Sequence, residues 1–484
     1  MTDTPAPIAP GAPRPPGLDP ARVDLAYVSG HVAALLRLAW PVMLSRAGIL
    51  LMAFTDIAML SRYATGAAGE ATLGLAVFIP LLVLSIGLAS GSVPVIAQAD
   101  GRGERRETGH AWQRAMVWAI VVSTVGAAIT FFSETWLGLL GQAPAQAAAG
   151  GEVARMLAPG LVAQVLFAVC AFYLEATRRP LPALVVMAGV NLVNLGLNAL
   201  LIGGAYGLPE MGAAGAALAT TLARFVALGA MLAVIFAQRD ARGAGVIDGA
   251  NGAFWGPGGW HAGWEMRKLG LSAGLSNGFE TLGFAVLSLI AGRLGTLALD
   301  AYAITHNLVS TAFMVGLGLA VATGVRVGYE TGRGRPGEAA AAGWVGIGTA
   351  LAVMGAIAAV VVAFRPGIAA LYTDDPVLAA AVAGLLLYSA LVFVPDTLQV
   401  VAGQAVRGLG DAWLAIGIYA LSFTVLLIPL GWVLAMATPL GVIGLPIAIS
   451  VVCVLAFLLL AWRFWVLTRR LGRRAAGAAA AAAR

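Results

Sequence analysis

Apolar runs of about 20 residues, each long enough to cross a bilayer as a helix, recur along almost the whole chain. In hydrocarbon every backbone N–H and C=O must be paired within the structure, so such runs form helices. They are predicted near 33–60, 71–99, 112–140, 152–177, 181–205, 211–237, 266–291, 301–328, 340–364, 377–406, 412–436 and 439–468. Only 11% of the 484 residues are charged, against about 25% in an average soluble domain. The expected fold class is an all-α integral membrane protein with twelve transmembrane helices.

The net charge of +6 could suggest a nucleic-acid partner, but its distribution argues otherwise. Arg102, Arg105 and Arg106 follow span two, and Arg178 and Arg179 follow span four. Arg239, Arg242, Arg267 and Lys268 flank the loop after span six; Arg326, Arg333 and Arg335 end span eight. Arg407 ends span ten, and Arg469, Arg470, Arg473 and Arg474 follow span twelve. The alternate loops hold little beyond Arg62, Arg293 and Arg365. Cytoplasmic loops are the basic ones, so both termini are expected inside, the bilayer is the partner, and no nucleic acid is implied.

The Pro-rich opening MTDTPAPIAPGAPRPPGLDP lacks the apolar core of a signal peptide. Residues 1–30 are read as a disordered cytoplasmic tail and 469–484 as a basic, Ala-rich one, with a cytoplasmic linker over 238–265. Cys170 and Cys453 lie within apolar spans and read as small packing residues. The four histidines, His31, His110, His261 and His306, show no paired metal-binding spacing. An intramembrane enzyme is therefore disfavoured, and no catalytic residue is assigned.

The two halves look like copies. AQADGRGERRETG (97–109) after span two answers YETGRGRPGEAA (329–340) after span eight. LEATRRPLPALVV (174–186) answers GQAVRGLGDAWLAI (403–416), and MGAAGAALATTLARF (211–225) answers PLGVIGLPIAISVV (439–452). The offset is about 230 residues each time. With six spans per copy, both enter the membrane in the same orientation, so their symmetry axis stands along the membrane normal. The expected lobes are 31–237 and 266–468, two pseudo-symmetric six-helix bundles. The GRGE and GRGR loops follow no strand, which excludes a phosphate-binding loop.

Acidic residues inside spans cost about 2.5–3.5 kcal/mol on insertion scales and mark ion or substrate routes. Glu280 stands in GLSNGFETLGFAVLSLIAGRLG near the middle of span seven. Asp396 follows Pro395 in span ten, where the missing N–H should bend the helix and free a carbonyl. Asp56 lies in the outer half of span one. The structural alternatives are a pair between Glu280 and Arg46 or Arg224, and an end-of-helix pair between Asp56 and Arg62. Asn191, Asn194 and Asn198, three and four apart in span five, fall on one helix face. With Thr220 and Thr221 they could hold helices together or line a wet cavity beside a carboxylate.

In these residues the sequence resembles the multidrug and toxic compound extrusion (MATE) family, in its NorM-like branch. The carriers are PVMLSRAGILLMAFTDIAML, NLVNLGLNALLIGG with LPEMGAAGAALAT, GLSNGFETLGFAVL and PDTLQVVAGQAVRGLGD. The resemblance spans all twelve predicted helices. It implies a secondary antiporter of the inner (plasma) membrane that exports cationic amphipathic small molecules against Na+ or H+. It requires no cofactor beyond the coupling ion and is expected to work as a monomer. By motif, Glu280 and Asp396 would form the cation site of the C-terminal lobe. Asp56, Asn194, Asn198 and Thr220 would form the polar cluster of the N-terminal lobe, with Asn191 as a further supporting candidate. A Tyr common in the branch one turn before the span-ten Asp is Val392 here, which weighs against Na+ coordination, and the LRAxG-like turn after span four is altered to LEATRRP.

A buried carboxylate is favoured in its neutral or cation-bound form, so it can hold a proton, a Na+ or a cationic drug, but two at once only with a penalty. Phe279, Phe284, Phe313, Phe393, Trp40 and Tyr302 could offer aromatic faces to a cation or simply pack. A lipid-linked precursor flippase of the same superfamily is the alternative. It would want a basic central cavity, and only Arg46, Arg155 and Arg224 read as lying within spans.

Overall fold

The computed structural model describes residues 25–63, 67–204, 209–238, 243–246 and 259–482. The first 24 residues of the expected tail, and 239–242 and 247–258 of the expected linker (including Arg239 and Arg242), lie outside the described residues. Among the described residues, twelve helices are long and apolar enough to cross a membrane. They run Ala26–Tyr63, Gly69–Arg102, Arg105–Phe131, Pro144–Ala176, Leu181–Leu201 and Gly212–Phe236, then Trp264–Arg293, Thr296–Gly332, Pro336–Tyr372, Pro376–Gly408, Trp413–Met436 and Gly441–Gly477. They are numbered here as spans one to twelve.

Most helices overrun the apolar segments that announce them. Charged residues near their ends therefore belong to helix, and Arg114, Arg326, Arg407 and Arg463 fall within spans along with Arg46 and Arg224. The expected shortage of intraspan arginine is thus corrected. Span three differs in register: it begins at Arg105 and stops at Phe131. The apolar LGLL that extended it in sequence belongs to a separate short helix, Ser133–Leu139. Buried Ser133 donates to the carbonyl of Thr130 at 2.6 Å, drawing the chain out of span three. Arg155, read as intraspan, pairs with Glu134 of this short helix at 3.0 Å and is partly exposed.

Span two is broken once, at Ser90–Gly91, and resumes as Ser92–Arg102. Span eleven carries a π-helical stretch, Ala420–Leu426, just before Pro429. A proline displaces the carbonyl four residues back, and a wide turn accommodates it. The basic tail continues span twelve as helix to Ala482. In the linker, residues 243–246 lie against span three: Gln113 donates to the carbonyls of Gly245 and Val246 at 3.2 and 3.1 Å.

Span pairings repeat between the halves. Span four packs on spans two, three and six, while span ten packs on spans eight, nine and twelve; span five meets one and six as span eleven meets seven and twelve. Across the halves, span one meets span eight and span two meets span seven, an exchange that a two-fold axis requires. Close backbone approach makes this seam: a Cβ on Gly87 would come within 2.7 Å of Gly274 Cα.

The polar contacts across the seam gather at the end bearing the basic loops. Tyr27 donates to Glu338 at 2.9 Å, and His31 lies 3.3 Å from the same carboxylate. Arg326 reaches His31 Nδ1 at 2.9 Å and its backbone carbonyl. Gln98 donates to the carbonyl of Gly408 at 2.9 Å, and Arg178 covers the Tyr329 ring at 4.0 Å.

Candidate functional site

Each half holds a buried polar cluster built around the acidic residues singled out in sequence. In the N-terminal half, Asp56 of span one accepts at Oδ1 from Asn198 Nδ2 and at Oδ2 from Thr220 Oγ1, both at 2.6 Å. Asn194 Nδ2 donates to the Thr220 hydroxyl at 3.2 Å, and Asn198 Nδ2 also donates to Asn194 Oδ1 at 3.2 Å. Asn194 and Asn198 are fully buried. The donors form a directed chain ending on Asp56, whose two oxygens act only as acceptors, the environment of an ionised carboxylate. Arg224, one turn along span six from Thr220, sits over the Phe78 ring at 4.8 Å and acts electrostatically on Asp56.

Three of the five asparagine and threonine residues picked out by sequence thus meet in Asp56's cluster. Asn191 does not: its side chain donates to its own helix, to the carbonyl of Met187 at 2.8 Å. Thr221 points the other way, donating to Met156 O at 2.7 Å. The expected competitor, an Asp56–Arg62 pair, does not form among the described residues.

In the C-terminal half the arrangement differs. Glu280 of span seven and Asp396 of span ten are brought together around a single amide, that of Gln399. Both are buried, 9% and 4% exposed. Gln399 Nε2, one turn beyond Asp396, donates to Glu280 Oε1 at 3.2 Å and lies 3.5 Å from Asp396 Oδ1. Cys453 Sγ of span twelve approaches Asp396 Oδ1 at 3.7 Å. Two carboxyl groups that close cannot both be ionised without something positive between them. A single amide hydrogen does not supply that charge. The buried Gln399 Oε1 has no hydrogen-bond partner among the described residues.

Neither arginine proposed as a partner takes Glu280. Arg46 pairs with Glu175 of span four at 3.1 Å, and Arg224 faces Asp56. Arg407, by contrast, acts on Glu280 from further along span ten. Sequence reasoning passed over Gln399, Cys453 and Arg407. Gln399 carried a usable signal, a buried amide three residues after Asp396 on the same face. Cys453 carried none, since its role depends on which helix it meets.

The aromatic candidates divide. Phe393 and Tyr302 are buried in packing, 2% and 3% exposed. Phe284 stands edge-on to Phe423 at 6.0 Å and to His306 at 5.4 Å. Phe279 and Phe313 are half-buried, and Trp40 is 46% exposed. Val392, where the branch often has Tyr, is buried at 1%.

Twelve spans in two exchanged halves, each with a buried polar cluster that includes a carboxylate, define the architecture of a two-lobed membrane transporter. The MatE family model matches residues 41–200 and 273–433, one block in each half, and the chain belongs to that family. It is 34% identical over 451 residues to the "Probable multidrug resistance protein NorM" of Caulobacter vibrioides, covering 92% of this chain and 93% of that protein. It is 30% identical over 388 residues to the "Multidrug resistance protein PmpM" of Pseudomonas aeruginosa, covering 79% and 80%. Among solved structures, the eukaryotic MATE transporter AtDTX14 superposes with a TM-score of 0.82 at 18% identity, covering 93% of this chain and 99% of that one. An outward-facing MATE transporter of the MOP superfamily gives 0.81 at 20% identity, covering 91% and 96%. Both likenesses concern the fold.

Proposed function

We propose that this protein is a secondary multidrug antiporter that exports cationic amphipathic compounds in exchange for Na+ or H+ by alternating access. The observation that carries the reading is the juxtaposition of Glu280 and Asp396, two buried carboxyl groups held by one glutamine and joined to no arginine by an ion pair among the described residues. The names of the relatives support the substrate class, and the two-lobed fold supports alternating access.

In this reading the pair is a seat for one positive guest. With a proton or Na+ in place, the cluster carries less charge and can be closed off from water. Empty, it attracts a cationic drug, and the guest decides which open state is favoured. The basic loops mark the cytoplasmic side, so the seam through Tyr27, His31, Gln98, Arg326 and Glu338 is a cytoplasmic gate, closed here. The seat would then face outward, ready to release drug and take up the coupling ion. A membrane potential contributes about 2.3 kcal/mol per charge per 100 mV.

The test is ethidium efflux from proteoliposomes under a Na+ gradient alone and under a pH gradient alone. Glu280→Gln and Asp396→Asn are expected to abolish gradient-driven efflux while eluting as folded monodisperse protein. Wild-type efflux by both variants would overturn the assignment, and the gradient that drives the native protein identifies the ion.

A further inference from the structure

Four arginines are buried inside the helical bundle: Arg46, Arg114, Arg224 and Arg407, none more than 9% exposed. Three of them face an acid. Arg46 is 3.1 Å from Glu175, Arg114 is 2.6 Å from Glu107, and Arg224 acts on Asp56. The Arg46–Glu175 and Arg224–Asp56 sets each balance one positive against one negative charge. Arg407 differs in what it faces: like Arg224 it forms no ion pair among the described residues, but the carboxyl it acts on, Glu280, shares an amide with a second one, Asp396.

The geometry turns Arg407 toward the carboxyl pair. Its guanidinium runs back along span ten: NH1 lies 3.5 Å from where a Cβ on Gly403 would sit, one turn nearer Asp396. Beside it is the ring of Tyr419, 5.9 Å from the guanidinium carbon. Arg407 acts electrostatically on Glu280 and on Tyr419. The other ionisable side chains against the cluster are Tyr419 and Cys453, both weak acids that are ordinarily uncharged at neutral pH. A lone guanidinium away from water is costly, and so are two adjacent carboxylates. Here each offsets the other, but one negative charge remains.

The repeat shows that this charge is particular to the C-terminal lobe. The turn after span four holds Arg178 at φ +62° and the turn after span ten Gly410 at φ +87°. With those left-handed residues in register, Glu175 and Arg407 fall at matching positions, three residues earlier in each case. One lobe has an acid there, neutralised by Arg46; the other has a base.

We infer that Arg407 is a built-in counter-charge that limits the Glu280–Asp396 seat to one monovalent cation. Two carboxylates, one guanidinium and one guest are neutral; a second guest would leave net positive charge in the dry interior. The inference rests on the carboxyl pair being the coupling site, and it adds how many ions that site takes.

The count is measured on purified protein as 22Na+ bound plus protons taken up on acidification, relative to Glu280→Gln/Asp396→Asn. The native protein and Arg407→Lys should each take one cation. Asp396→Asn should take none, because Arg407 already neutralises Glu280. Arg407→Gln should take two. Adding Arg407→Gln to Asp396→Asn should restore a count of one. Should Arg407→Gln alone fail to fold, the last two Asp396→Asn variants still decide the matter. A double variant that binds none, or a native protein that binds two, would overturn the inference. If Asp396→Asn binds and transports as the native protein does, the carboxyl pair is not the coupling site, a failure separate from the role of Arg407.

Discussion

A charged side chain inside a bilayer is tolerated only with its partners, so identity and depth give half of what a residue does and its neighbours give the rest. Glu280, Asp396 and Asp56 stood out in sequence because each interrupts an apolar run. Their different settings did not. Asp56 receives two hydrogen bonds and stands near one arginine, while Glu280 and Asp396 share one amide between them. Glu175 was less conspicuous, lying where a span meets a basic turn, yet it is 1% exposed. Removing one partner of such a buried pair costs about 3–5 kcal/mol because the other charge is left alone. Glu175→Gln is therefore expected to lower the thermal unfolding midpoint in detergent substantially. Replacing both partners, Glu175→Met with Arg46→Met, should recover most of the loss. Equal losses in the single and double variants would show that the pair acts through something other than charge.

At the scale of elements, hydropathy located all twelve helices because burial in lipid is a property of a local run of residues. Their ends were less legible. Helices project beyond the hydrocarbon, so the charged RRETGH segment reads as loop but is the first turns of span three. Conversely, the apolar LGLL segment reads as membrane but lies at the end of a short separate helix, after a break at Phe132. The two chain turns after spans four and ten illustrate how backbone conformation escapes residue type. Both need a left-handed residue, met by Gly410 in one and by Arg178 in the other. A Cβ at Gly410 would meet nothing nearer than Gln98 Nε2 at 3.8 Å, so substitution there tests backbone strain without a clash. Gly410→Ala should destabilise by about 1–2 kcal/mol, and Gly410→Asn by less. Thermal unfolding of the two variants side by side checks the order.

At the scale of the whole molecule, the two-fold exchange of spans one and eight with seven and two sets where the lobes can part. Gly87 and Gly274 let the backbones meet on the side of the basic loops. Gly87→Val would place branched carbon where Gly274 Cα and N now stand, 2.7 and 3.0 Å from the new Cβ. The variant should hold the lobes apart at that end. Spin labels at positions 104 and 335 are expected to show a longer distance distribution than in the native protein, while a pair within one lobe stays unchanged. An unaltered interlobe distance would mean that the seam absorbs the added bulk locally.

The sequence by itself determined the solvent, the number of crossings, the repeat and the residues too polar to be there without purpose. These follow from composition, periodicity and copy, each readable within one helix or from one half to the other. Only the tertiary structure decided that Arg46 belongs to Glu175, that Gln399 bridges two carboxyl groups, and that Arg407 faces them without an ion pair. Such pairings arise where helices distant in sequence cross, and the rotation of each helix about its axis is set by packing against the others.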